Sequence, residues 1–109
     1  MSSVELTVIP HQTRSGLNYQ HLHIEILSEN GVIVPQDLKG LKLPKLDYSQ
    51  GVILEGKAPI WLYGYLVHEC HPAAWVACYD TRLGGVVVAT HSPTINVSQV
   101  LPLDLPTFS

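Results

Sequence analysis

The sequence is short of charge, of cysteine and of any long apolar run, and each shortage narrows what the chain can be. Charged residues make up 14% of it against 46% hydrophobic, a balance that suits a packed globule and excludes a disordered polyelectrolyte. So little charge on so small a domain also predicts self-association. Net charge is −3 with the histidines neutral, which argues against an extended basic surface for long nucleic acid but leaves room for a small anion held by a few local cations. No apolar stretch approaches the roughly 18 residues of a membrane span, and no basic start leads into a signal-like apolar segment. No membrane is expected, and a cytoplasmic location is. The two cysteines, Cys70 and Cys78, are spaced neither as a redox pair nor as a zinc knuckle, and read as small buried apolar groups. No phosphate loop of the GxxxxGK[ST] type is present, nor a serine or cysteine nucleophile with a base at a recognisable spacing.

What is there fits one domain of 109 residues with alternating strands and one good helix. "VELTVIP" alternates and predicts a strand ending at Pro10. "HQTRSGLNYQ" suits a hairpin connection. "YQHLHIEIL" predicts a strand with Leu22, Ile24 and Ile26 on one face and His21, His23 and Glu25 facing solvent on the other, while His11 falls in a loop. "VPQDLKGL" allows a short helix from Pro35 to Gly40. "GVILEG" reads as a buried strand. The helix starts at Pro59, suited to a first helical position, and "IWLYGYLVHEC" continues it until Pro72 disfavours helix at His71. Gly64 inside it predicts close packing on the sheet. "AAWVACY", the tight "DTRLGG" connection and "GVVVATH" follow as a strand hairpin. Strand, helix, strand implies a parallel pair, and the tail "LPLDLPTFS" reads as a linker or a frayed end.

Polar chemistry concentrates in "YLVHECHPAAWVACYDTRLGG". His68 and His71 are three apart and can share a face if the last helical turn persists, although histidines at a helix C-terminus also suit its dipole. Asp80 and Arg82 leave the C-terminal end of a strand parallel to "GVILEG", the edge where open sheets place ligands. His91 lies at the far end of the next strand, so Asp80 and His91 cannot meet within one chain. Imidazoles and a carboxylate ligate a divalent ion such as manganese and move protons near neutrality, and a guanidinium matches a phosphate. Phosphodiester cleavage suits this set better than acyl transfer or phosphoryl transfer from ATP.

The run "GVILEGKAPIWLYGYLVHECHPAAWVACYDTRLGGVVVATHS" resembles the small CRISPR-associated ring nucleases of type III systems that also act as manganese-dependent RNA exonucleases. Those proteins share a "GxxPIWL" helix, an "H..H" end, a "YDPRLG" turn (Thr81 here replaces the proline) and a strand ending in histidine. The resemblance implies a ferredoxin-like α+β fold, a mixed sheet carrying one long and one short helix, spanning residues 1–101 with 102–109 as a tail that could lead to a further domain. It implies dimers, higher assembly around the ligand, breakdown of cyclic tetra-adenylate to switch off antiviral signalling, and possible action on RNA 3′ ends. It also implies a ring held between two dimers, with histidine from one and the aspartate–arginine turn from the other.

Carried onto this chain, the catalytic residues expected are His71, Asp80 and Arg82, with His68 and His91 at further matching positions. Arg82 and Lys57 would bind phosphates, Lys57 because it precedes a helix start where anions are favoured. Asp80 and His71 would hold the divalent metal, manganese by resemblance. The alternative is a sensor that binds the cyclic nucleotide without cutting it.

Overall fold

The computed structural model describes residues 3–103, so the last six residues of the predicted tail lie outside the described part. Six strands form one mixed sheet in chain order: β1 (Val4–Gln12), β2 (Asn18–Ile26), β3 (Gly51–Glu55), β4 (Trp75–Asp80), β5 (Gly84–Thr90) and β6 (Val100–Leu101). β2, β3 and β4 run parallel, and the remaining neighbours are antiparallel. The parallel pair predicted across the helix is β3 and β4, and the hairpin predicted after it is β4–β5. The mixed α+β expectation therefore stands. The sequential strand order does not reproduce the interleaved order of the ferredoxin-like refinement.

Period-two alternation sends each strand's side chains to two different cores. On one face Leu22, Ile24, Val52, Leu54 and Val76 pack with Leu62 and Leu66 of the helix α1 (Ile60–Glu69). Each of those fully buried leucines is worth about 1.5–3 kcal/mol in transfer free energy. On the other face Tyr19, Ile53, Trp75, Ala77 and Val87 pack with Ile95 and Leu101. Leu101, expected to begin a linker, pairs with Gly85 and is buried. The ordered chain extends beyond it, since Leu103 packs on the same cluster.

Parallel strands need a long crossover between them. From β3 to β4 that crossover is α1. From β2 to β3 it is mostly irregular chain with a 3₁₀ turn at Pro35–Leu38, where the short helix was expected. Gln20 pins this connection to the sheet: its amide donates to the Asp47 carbonyl and accepts from the Asp47 N–H, both at 2.8 Å.

Four local expectations change. β1 runs through Pro10 to Gln12, because β1 is an edge strand and a proline there forfeits no essential ladder bond. His11 therefore lies in a strand and not in a loop. The helix is ten residues long, with Pro59 as its extended N-cap and Cys70 as its C-cap. Pro72 stops it, so His71 is past its end. Gly64 is exposed, and a Cβ built on it meets nothing within 4 Å. Among the described residues the close packing expected there is absent.

Gly64→Ala should then raise stability by about 0.5–1 kcal/mol, the helix penalty of glycine with no steric offset, as read from the denaturation midpoint. Gly51→Ala should do the reverse. Its Cβ would fall 1.8 Å from the Trp75 indole, and displacing that buried ring should cost about 1–3 kcal/mol in the same measurement.

Candidate functional site

The parallel pairing of β3 with β4 fixes where the polar groups go. α1 leaves the C-terminal end of β3 and returns the chain to the N-terminal end of β4. His68 and His71 lie at that return, while Lys57, Asp80 and Arg82 lie at the opposite end. A strand of β4's length spans about 17–20 Å, so the expected metal pair, Asp80 and His71, cannot share an ion within one chain.

At the imidazole end, β5 brings His91 back beside the start of β4, where Trp75 pairs with Thr90. The His71 and His91 rings meet edge to face with centroids 5.0 Å apart. His91 Nε2 donates to the His71 carbonyl oxygen at 3.1 Å, and the His91 N–H donates to the Ala74 carbonyl at 2.8 Å. Both rings are exposed. His91, the weaker member of the expected set, is thus the direct neighbour of His71. His68 is exposed on the last helical turn, and its carbonyl accepts from the His71 N–H.

At the other end the Asp80 carboxylate organises the turn. Its Oδ1 accepts from the Arg82 N–H at 2.8 Å and from the Leu83 N–H at 3.1 Å. The Arg82 N–H bond is the main reason its pKa lies below the usual carboxylate value. Thr81 in place of proline leaves this turn closed. The Arg82 guanidinium has its Nε 3.8 Å from Oδ1 and is otherwise exposed. Arg82 and Thr81, together with Arg14 and Ser15 of the β1–β2 hairpin, line a groove of about 540 Å³. Two guanidiniums with hydroxyl side chains around them suit an anionic, hydroxyl-rich ligand. Lys57 is exposed at the same end, just before α1.

A third polar group was misread from the sequence. His21 and His23, expected to face solvent, are 0% and 9% exposed. They lie on β2 between β1 and β3, and Glu55 of β3 stands directly opposite His23. His21 Nε2 and His23 Nδ1 both lie 2.7 Å from the same oxygen, Glu55 Oε1. Burial holds the His21 imidazole below its ordinary pKa, although Glu55 pulls the other way. The available signal was an H-x-H alternation on a strand followed by an acidic end to the next apolar strand. Such a signal points to a cluster only when the two strands pair, and their pairing is parallel, across a connection that no helical period marks.

The cysteines behave as expected. Cys70 is fully buried, and burial pushes its thiol up to about 12. Burial also raises that of the partly buried Cys78. Neither offers a thiolate nucleophile near neutrality. No helix among the described residues is long and apolar enough to cross a membrane.

The family model described as CRISPR-associated protein (Cas_csx3) matches residues 26–102, well over half the chain. A protein of Aquifex aeolicus (strain VF5), named only as uncharacterized, is 43% identical over 74 residues, covering 63% of this chain and 67% of its own length. The chain belongs to the CRISPR-associated Cas_csx3 family.

Proposed function

We propose that the protein is a ring nuclease that opens cyclic tetra-adenylate at a site assembled from two chains. The observation that carries this reading is the placement of its polar groups: an exposed imidazole pair at one end of β4 and a carboxylate-braced guanidinium at the other. A reaction that uses both must take them from different protomers. A cyclic tetranucleotide, with a repeated phosphate around its ring, presents the same chemistry to more than one copy of a surface.

In this scheme Arg82 binds a phosphate through its planar fork, and Lys57 adds a second cation at the same end. Asp80 is a positioning residue, because it holds the turn that presents Arg82. His71 of the other protomer carries a proton to or from the reacting oxygen. The bond from His91 Nε2 to the His71 carbonyl holds the backbone from which the His71 ring projects. The expected ligation of manganese by Asp80 and His71 does not fit a single chain, so no step is routed through a metal here.

Purified His71→Ala chains should lose cleavage by more than about 100-fold, the usual scale for removing an acid–base group, and Asp80→Ala chains should lose it comparably because the turn that presents Arg82 is no longer held, both remaining folded and assembled. Mixing the two should restore about a quarter of the wild-type rate, the share of random junctions that keep both groups. Folded, assembled variants whose mixture stays inactive would overturn the two-chain site. Tight binding of cyclic tetra-adenylate by the wild type with no linear product would instead favour the sensor.

A further inference from the structure

We propose that His21, His23 and Glu55 form a binding site for a divalent first-row transition-metal ion, with zinc as the best fit, on the sheet face opposite α1. The inference goes beyond the ring-nuclease reading and does not depend on it, because the cleavage scheme uses none of these three residues.

The geometry carries the assignment. His21 and His23 are two apart on β2, so both project to the same face, and β3 sets Glu55 in register with His23. The three ligand atoms lie within 4.8 Å of one another. Two imidazole nitrogens already converge on one carboxylate oxygen at 2.7 Å. Around a zinc ion with bonds of about 2.0–2.1 Å, neighbouring donors stand about 3.0–3.4 Å apart, so each imidazole–carboxylate pair has to part only slightly to admit one. The backbone has already done the ordering, since all three residues sit on hydrogen-bonded strands.

Charge points the same way. The Glu55 side chain is 18% exposed, and among the described residues no lysine or arginine forms an ion pair with it. A half-buried carboxylate facing two imidazoles is a place where a cation is favoured. Two nitrogens and one oxygen suit zinc, cobalt(II) or nickel(II) ahead of manganese or magnesium, which prefer oxygen. The exposure of Glu55 leaves room for water to complete a four-coordinate sphere. His11 on β1 adds a further nitrogen nearby. Its ring lies 5.8 Å from that of His21, and its Nε2 is buried with no hydrogen-bond partner among the described residues.

The test uses the full chain, stripped by a chelator and then titrated with zinc by calorimetry and with cobalt(II) by visible absorption. The wild type should take up one ion per chain, show cobalt d–d bands and melt at a higher temperature with zinc. Glu55→Gln and His23→Gln should weaken zinc binding by more than about tenfold and abolish the melting shift. His71→Ala and Asp80→Ala should bind zinc as the wild type does, which separates this site from the cleavage site. Because a substitution in this buried cluster could unfold the chain, ring-proton NMR of the wild type gives a second readout, and zinc should move the His21 and His23 signals and not those of His71. No uptake by the wild type, unchanged binding in folded Glu55→Gln and His23→Gln, or shifts confined to His71 would each overturn the proposal.

Discussion

A parallel pair of strands cannot be closed by a tight turn, and that constraint shapes everything else in this fold. β3 and β4 must be joined by a crossover, and α1, ten residues long, is just sufficient to carry the chain from one end of the sheet to the other. Residues that follow β3 therefore lie at the end where β4 finishes, and residues that follow α1 lie where β4 begins. Lys57 joins Asp80 and Arg82 by this rule, and His71 is sent away from them. The antiparallel return of β5 then delivers His91 to His71. The division of the polar residues into two distant groups is a consequence of chain direction, not of side-chain choice.

This rule was legible in the sequence for β3 to β5, where Pro59, Pro72 and three short apolar runs mark every boundary. The tight connection at "DTRLGG" was equally plain, because an aspartate two residues before an arginine can accept the backbone N–H bonds that close such a turn. Its two bonds to Oδ1 do so. The parallel relation of β2 to β3 was not legible. The chain between them contains only a four-residue 3₁₀ turn, so no helical period announces a crossover. What holds it is a paired amide–backbone contact between Gln20 and Asp47, residues 27 apart, and no local pattern encodes such a pairing.

Missing that one relation accounts for the misplaced histidines. If β2 were an outer strand of a hairpin, one of its faces would be free, and His21, His23 and Glu25 would be its natural solvated side. With β3 laid along it, Glu55 stands beside His21 and His23 on that face, and both imidazoles are buried while Glu25 remains exposed. Gly64 teaches the complementary lesson. A glycine inside a helix suggests close approach, yet its surroundings are open, and nothing among the described residues explains its presence.

The buried polar face is also tied to the helix. Gly56, with φ of 141°, would place a Cβ 2.2 Å from the Ile24 carbonyl oxygen, so only glycine lets the end of β3 lie this close to β2. The Tyr63 hydroxyl on α1 donates to the Gly56 carbonyl at 2.6 Å, and burial keeps that phenol protonated by pushing its pKa to about 12. Glu55 therefore sits between a strand it cannot leave and a turn that the helix holds by a permanent donor. A carboxylate fixed in this way loses little freedom when it gathers two imidazoles. The same contact that anchors α1 over one face of the sheet thus holds the residue between Glu55 and Lys57, while strand pairing places Glu55 against His21 and His23 on the other face.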